Sequence, residues 1–387
     1  MKRLKTAVFG AGFMGKVHSE AIRRLGFVDI VGVAAVSDEE ARSFGNAIGV
    51  ERTTSNYKEL LADPTIDAVH VCTPNNLHAP MSKDALLAGK AVLCEKPLTL
   101  SVAEAEELVK IAKEKNLPNC VNHNLRYYPS VQQIRDMIAN GDLGEVLIVN
   151  GTYFQDWLLY DTDYNWRVER KDNGDLRAMG DIGSHWMDMI QHLTGLKITA
   201  LCADLQTFHK TRKKPKGAVE TFTGKKLNPD DYTEIPIDTD DFGSVLIRLG
   251  DRARGNFAVS QMSAGCKNRF QFEIFGTKGG VAWNQERPDE LWMGNRNAPN
   301  GIIVKDGSLF YPHAAGFADL PGGHSEGYDD AHKQVYKRFY KRVADPSAPI
   351  DYPTFADGLW GMQLLAKVLE SSKKGGWVTT GAQGASA

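Results

Sequence analysis

The sequence predicts a mixed α/β protein in two parts: a doubly wound parallel sheet, then an α+β part built on a large, mostly antiparallel open sheet. Three observations predict this. Residues 1–122 alternate short apolar runs with helix-compatible stretches and short joints, the rhythm of repeated β-α units. The first joint is a G-x-G-x-x-G sequence, Gly10-Ala11-Gly12-Phe13-Met14-Gly15, set between a strand pattern and a helix pattern. Beyond residue 123 apolar and polar residues alternate, as in Arg254-Gly255-Asn256-Phe257-Ala258-Val259, which marks an antiparallel sheet buried on one face.

In order, Ala7-Val8-Phe9 reads as the first strand and Lys16 to Leu25 as the helix after the glycine-rich turn. Ile30 to Val36 is nearly all apolar, as a buried parallel strand should be. Helices are predicted over Asp38–Ala47 and Tyr57–Leu61, the latter closed by Asp63-Pro64. Ala68 to Cys72 is a third strand, Ala79 to Ala88 a helix stopped by Gly89, and Ala91 to Cys94 a fourth strand. Ser101 caps a helix over Val102–Lys115, with Glu104 at the capping-box position, and Cys120-Val121 starts the fifth strand. In the second part, 123–387, Pro129 opens a helix to about Asn140. Strands are expected over 147–154, 198–207, 243–249, 255–263 and 270–275, interrupted by a helix over 180–193 and followed by helices over 328–343 and 355–371. Lys210 to Gly217 reads as a basic, solvated loop, and Thr380 to Ala387 as a disordered tail.

Composition narrows the function. With 387 residues, 42% hydrophobic and 24% charged, the chain is long enough for two ordinary globular domains. A net charge of −2 supplies no field that would recruit nucleic acid or an anionic membrane. The five cysteines, Cys72, Cys94, Cys120, Cys202 and Cys266, are scattered and odd in number, as expected of reduced thiols in the cytoplasm. No signal peptide or membrane-spanning segment is predicted.

The glycine-rich turn carries the first chemistry. Gly10 permits the tight turn, Gly12 lets a pyrophosphate approach the backbone, and Gly15 lets the helix sit close to its strand. The free N–H groups at the helix start then face the phosphates. In an open α/β sheet, ligands lie at the carboxyl ends of the strands. Three ends carry conspicuous residues: Thr73-Pro74-Asn75-Asn76-Leu77-His78, Glu95-Lys96-Pro97, and Asn122-His123-Asn124-Leu125-Arg126-Tyr127. Thr73, Pro74, Asn75, His78, Glu95, Lys96, Asn124 and Arg126 at these ends are candidates for contacts to a nucleotide or to its substrate. A lysine at a strand end can hydrogen-bond a substrate oxygen and favour its deprotonation; a surface pair with Glu95 is the bland alternative. In Gly180-Asp181-Ile182-Gly183-Ser184-His185, Asp181 and His185 stand at i,i+4 on one helix face, where a carboxylate can fix an imidazole's tautomer. Asp188 and His192 continue the stripe, but no glutamate or cysteine completes a ligand set, so no metal is expected. Trp166-Arg167, with Trp157 before it, suits a sugar pocket as an aromatic platform beside a fixed donor.

Together these segments resemble the glucose-fructose oxidoreductase, inositol dehydrogenase and rhizopine-catabolism family, called Gfo/Idh/MocA. The resemblance is carried by Gly10 to Gly15, Thr73 to His78, Glu95-Lys96-Pro97 and Asp181 to His185. It implies a Rossmann domain, a nicotinamide cofactor, and an NAD(P)-dependent dehydrogenase acting on a secondary hydroxyl of a sugar, glycoside or inositol. It places the family's catalytic lysine at Lys96, its aspartate and histidine at Asp181 and His185, and cofactor contacts at Phe13, Met14, Thr73, Asn75, His78 and Glu95. Pro321-Gly322-Gly323-His324-Ser325-Glu326-Gly327-Tyr328 resembles a loop of the branch acting on glycosides, anhydrosugars and inositols, which makes His324 and Tyr328 candidates for sugar hydroxyls; a helix start capped by Ser325 is the alternative. The resemblance further implies a homodimer or homotetramer joined through the second sheet's exposed face. One position departs from the pattern. The acidic residue that grips the adenosine ribose is replaced by Ala35, followed by Val36, Ser37 and Asp38. No cation stands there for a 2′-phosphate, so NAD is expected, with Ser37 and Asp38 near the ribose and NADP as the alternative. Two rival functions are a glycosidase that retains its nicotinamide and works by transient oxidation, and a non-catalytic redox sensor.

Overall fold

The computed structural model describes residues 3–217 and 231–382. Its contacts divide the chain into two compact units. One contains the residues up to Tyr127 together with Tyr328–Met362; the other contains Tyr128–Gly327 and the residues from Gln363 onward. The boundary expected at residue 122 lies beside the observed crossing at Tyr127, but a single boundary does not express the return of Tyr328–Met362 to the first unit.

The first unit is built on six parallel strands: β1 (Leu4–Phe9), β2 (Val28–Ala34), β3 (Thr53–Thr54), β4 (Ala68–Val71), β5 (Ala91–Cys94) and β6 (Asn119–Val121). Their order is β3-β2-β1-β4-β5-β6, so the chain reverses its direction of travel between β1 and β4. Every residue of β4 and β5 is buried, because helices on both faces exclude water. Those helices are α1 (Phe13–Arg23), α2 (Asp38–Ala47), α3 (Tyr57–Leu61), α4 (His78–Leu87) and α5 (Val102–Glu114). The capping box read at Ser101 and Glu104 is formed in full, and Ser37 and Asn56 cap α2 and α3. The later segment completes the unit. Pro353 accepts from the backbone N–H of Val121 at 3.0 Å, and Asn119 Oδ1 accepts from that of Phe355 at 2.8 Å.

The second unit opens with α6 (Pro129–Ala139) and carries a nine-stranded sheet. Its strands are β7 (Val146–Phe154), β8 (Ile198–Gln206), β11 (Phe242–Leu249), β12 (Ala253–Ser260), β13 (Arg269–Gly276), β14 (Gly280–Asn284), β15 (Glu290–Gly294), β16 (Gly301–Val304) and β17 (Val378–Thr379). Two further strands, β9 (Thr211–Pro215) and β10 (Tyr232–Pro236), form a separate antiparallel ribbon. The sheet order is β16-β15-β14-β13-β7-β12-β11-β8-β17, antiparallel except where β7 runs parallel to β12. Burial alternates along β11 and β13, as one-sided cover requires. The covering helix is α8 (Ser184–Thr194), whose Trp186 stacks on Phe257 with ring centroids 4.4 Å apart. Gly151 makes room for that indole: a Cβ there would lie 2.5 Å from Trp186 Nε1. Short helices α7 (Arg170–Asn173) and α9 (Pro312–Ala315) punctuate the loops. The last long helices are α10 (Tyr328–Ala344), in the first unit, and α11 (Phe355–Lys374), which runs through the boundary at Met362.

Two expectations are corrected. Within the stretch from Lys210 to Gly217, Thr211–Pro215 is the strand β9 rather than part of a solvated loop, and Arg212 on it is a core residue. Its guanidinium donates to the carbonyls of Leu158 (2.9 Å) and Tyr160 (2.8 Å) and pairs with Asp241 (3.0 Å). The tail expected to be disordered from Thr380 is anchored at its start. The Thr380 N–H and Oγ1 donate to the carbonyls of Thr199 (3.0 Å) and Ile198 (2.7 Å), while 383–387 lie outside the described residues. No described helix is long and apolar enough to cross a membrane.

Candidate active site

The glycine-rich turn follows β1 directly. Gly10 has φ +109, and a Cβ there would lie 2.6 Å from the Cys72 carbonyl oxygen. Gly15 allows close packing of α1, since its Cβ would lie 2.1 Å from the Gly10 oxygen. A Cβ on Gly12 would meet nothing, so that face is open. Gly12 is the N-cap of α1, no side chain caps that turn, and no acidic residue lies in it. An uncapped helix start beside open space, with Phe13 exposed, fits a dinucleotide pyrophosphate. Met14 Sδ lies 3.7 Å from the Tyr328 hydroxyl. At the end of β2, Ser37 accepts from Glu40 N at 3.2 Å as a helix cap, and Asp38 Oδ1 accepts from Ser55 N at 2.7 Å. The Ser55 bonds hold the Asp38 carboxyl below its ordinary value.

The ends of β4 and β5 meet the same design. Pro74 and Asn75 start a short 3₁₀ turn, and the buried Thr73 Oγ1 has no protein partner, as a side chain awaiting a ligand would. His78 is buried, with Nδ1 2.8 Å from the Pro97 oxygen and Nε2 3.0 Å from the Thr73 oxygen. A neutral ring donates to one of these, so His78 ties the two strand ends together rather than presenting itself at the surface. Burial lowers its proton affinity. Lys96 is partly exposed, while Glu95 is 6% exposed, which removes the surface-pair reading of this dipeptide. Glu95 Oε1 is 2.7 Å from His18 Nε2 and also accepts from Asn122. Burial pushes its carboxyl up, but His18, Asn122 and the Lys96 charge outweigh this and hold it at about 2.

Behind Glu95 lies a histidine cluster that sequence reasoning missed, because its members are far apart in the chain. His18 Nδ1 meets His70 Nδ1 at 2.8 Å, and His70 Nε2 meets the Tyr340 hydroxyl at 2.9 Å. His332 Nδ1 lies 3.0 Å from the Tyr328 oxygen and 3.3 Å from Asn124 Nδ2. Metal-type donor atoms of His18, Glu95 and His332 converge within 4.8 Å, but the His18–Glu95 hydrogen bond already occupies two of them. Arg126, at the end of β6, is partly buried and pairs with Asp357 at 3.2 Å.

In the second unit the expected helix over 180–193 begins as a π-turn, Met179–Gly183, before α8. The π-turn changes the angular step between Asp181 and His185, so the simple i,i+4 face does not apply to them. Both are buried. Asp181 Oδ2 accepts from Gln261 Nε2 at 2.8 Å, and its Oδ1 lies 3.4 Å from Arg167 Nε. The Tyr153 ring is 6.2 Å from that of His185. Arg167 also covers the Trp166 ring, its Cζ 4.4 Å from the centroid, and Asn165 caps the turn that carries both. Trp157 packs on the Leu158, Val168 and Ile237 cluster and donates to Gln155 at 2.8 Å, so it is partly a core residue. His192 Nε2 is 3.2 Å from Gln132 Nε2. Asp240 accepts from Met179 N at 2.7 Å and Arg177 N at 2.6 Å, bracing the π-turn, and burial pushes its carboxyl up to about 6. His324 is exposed in its loop. The loop is anchored by Glu326: buried Glu326 pairs with buried Lys305 at 2.8 Å. Tyr328 belongs to the first unit and His324 to the second.

Residues 4–123 match the oxidoreductase family with an NAD-binding Rossmann fold, and residues 131–282 match the GFO/IDH/MocA C-terminal domain. Levoglucosan dehydrogenase of Pseudarthrobacter phenanthrenivorans is 30% identical, over 98% of each chain. A solved structure of levoglucosan dehydrogenase with NADH and levoglucosan aligns with a TM-score of 0.87 at 29% identity, covering 98% of this chain and 100% of that one. An inositol dehydrogenase homolog from Azotobacter vinelandii, with NADH and myo-inositol, aligns with a TM-score of 0.86 at 26% identity, over 98% of each chain.

Proposed function

The chain belongs to the GFO/IDH/MocA family of NAD-binding oxidoreductases, and from that premise we propose that it oxidises one secondary hydroxyl of a sugar, anhydrosugar or inositol to a ketone, and catalyses the reverse reduction. The observation that supports this reading is that Asp181 and His185 are both buried, in a chain that also carries Lys96 at the end of β5, in the same parallel sheet as the glycine-rich turn. His185 takes the hydroxyl proton on its imidazole, and Asp181 stabilises the imidazolium that results. The Lys96 ammonium donates to the same oxygen and stabilises its developing negative charge. Bound NAD supplies the hydride acceptor. Trp166, Arg167, Arg126, His324 and Tyr328 are proposed to orient the polyol, and Gly12, Phe13, Met14, Thr73, Asn75 and Asn124 to hold the cofactor. Relatives named for levoglucosan and inositol support the substrate class.

A panel of levoglucosan, myo-inositol, free sugars and glycosides, each with NAD and NADP, tests the proposal by absorbance of reduced nicotinamide. Net NADH formation with at least one cyclic polyol is expected. Release of an aglycone without net NADH would replace the proposal with a nicotinamide-retaining glycosidase. Tight NAD binding with no turnover across the panel would leave a redox sensor.

A further inference from the structure

We propose that Gln261 and Arg177 are positioning residues for Asp181 and His185, an inference that rests on the catalytic reading above. Gln261 follows β12 and is fully buried. Its Nε2 donates to Asp181 Oδ2 at 2.8 Å, and its Oε1 accepts from Arg177 Nη1 at 3.1 Å. The second bond decides which way the amide is turned. A guanidinium has donors and no acceptor, so the Gln261 oxygen must face Arg177 and its NH₂ must face Asp181.

Arg177 cannot readily turn either. It is fully buried, its guanidinium pairs with Asp241, and Asp241 is shared with buried Arg212 at 3.0 Å. Its backbone N–H is fixed on Asp240 at 2.6 Å. Orientation therefore passes from a buried ion cluster, through one amide, to one oxygen of Asp181. Arg167 addresses the other oxygen from the loop before α7. The Tyr153 hydroxyl, on β7, donates to Asn268 Oδ1 at 2.7 Å, and its phenol is held far above the ordinary value, first by burial and then by the Asp181 charge. One donor, Gln261, and one cation, Arg167, thus address the two oxygens of Asp181 separately, in the π-turn that leads into α8 and His185.

A glutamine with a merely structural role here would need only to accept from Arg177. Glutamate accepts better, so Gln261→Glu separates the two roles: it keeps the Arg177 bond and replaces the donor facing Asp181 with an acceptor. Two buried carboxylates then face each other, so the urea midpoint should fall, and turnover is read under conditions where circular dichroism shows the variant folded. Turnover of levoglucosan with NAD should fall by about 10- to 100-fold, the scale of a misplaced catalytic group. The His185 imidazole, followed by NMR in cofactor-free protein and assigned with His185→Ala, should titrate at higher pH because negative charge has been added nearby. Unchanged turnover and an unmoved His185 titration would overturn the proposal. Should Gln261→Glu not fold, Arg177→Lys keeps a cation for Asp241 but lacks the planar fork that turns the amide; the same two readouts must move there, or the proposal falls. His185→Ala tells the two readings apart. If it keeps near-normal turnover, the catalytic assignment itself fails. If it is inactive while His185 titrates normally in Gln261→Glu, only the positioning role fails.

Discussion

At the scale of single residues, the proposed reaction rests on a few groups whose loss should have separable effects. Lys96→Met and His185→Ala should each reduce turnover by about 10²–10⁴, the usual worth of proton-transfer help. His185 lies outside the nucleotide-binding unit, so fluorescence titration should give His185→Ala a nearly unchanged NAD affinity. We propose that cofactor choice turns on Ala35. With no carboxylate there to accept from the ribose hydroxyls or repel a 2′-phosphate, and no cation to attract one, preference for NAD over NADP should be modest. Ala35→Asp should sharpen it by about 1–3 kcal/mol, the worth of charge-assisted bonds to both hydroxyls. Titration of both cofactors measures this, and a wild-type preference for NADP would contradict it. Asp38 is the weaker candidate for that role, because one of its oxygens is already committed to Ser55. Gly12, Lys96 and His185 were legible in the sequence because their chemistry is written into short motifs. Gln261, Arg177, Glu326 and His18 were not, because each acquires its role from a partner far away in the chain, and nothing local to them signals it.

At the scale of elements, the turn between β1 and α1 offers a clean contrast. Gly12→Ala places its methyl in open space, so the thermal midpoint should hold while NAD affinity falls. Gly15→Ala drives a methyl to 2.1 Å from the Gly10 oxygen and should lower both. The loop bearing His324 depends on the buried Lys305–Glu326 pair, in which Lys305 Nζ also donates to the Leu320 carbonyl at 3.0 Å. Lys305→Met leaves Glu326 buried without its cation, a loss of about 3–5 kcal/mol that urea unfolding would register. Hydrophobic rhythm, with capping residues, predicted α2, α5 and α10 to within a residue at each end. It did not resolve β14, β15 and β16; α3 and β5 are as short, but the β-α alternation around them supplied a frame that a run of consecutive short strands lacks. It misread β9, because a buried, paired arginine looks like a solvated one in sequence. The π-turn at Met179 escaped for a related reason: helical periodicity carries no mark of one extra residue in a turn.

For the whole molecule, acid should be destabilising in two stages. Burial and the neighbouring His18 hold His70 well below the ordinary imidazole value and His332 at about 4. The unfolded chain takes up protons below the ordinary 6.5 while these two rings stay neutral in the fold. The unfolded state therefore binds more protons, and stability falls as pH drops from 6.5 toward 4. His332 alone contributes on the order of 3 kcal/mol to this fall. Glu95 adds a second loss between its ordinary 4.5 and about 2. Urea midpoints measured at steps from pH 7 to pH 4 should decline, and His332→Gln should flatten the slope; a flat wild-type profile would contradict the buried-neutral assignment. Half-exposed Ile148, Leu246, Ile302 and Val304 lie along the second sheet's strands, in keeping with the expected homodimer or homotetramer, and light scattering at micromolar concentration should return a multiple of the 42.7 kDa chain mass. The return of Tyr328–Met362 to the first unit also has a consequence for how the protein is made. A nascent chain that has emerged only as far as residue 300 has all six strands of the nucleotide-binding sheet, but no Tyr336, Tyr340 or His332 to close over His18 and His70. Its β6 also lacks the Pro353 carbonyl that receives the Val121 N–H. The first unit to leave the ribosome thus stays incomplete until most of the second has been made, and its polar interior stays open to water until nearly the whole polypeptide has been synthesised.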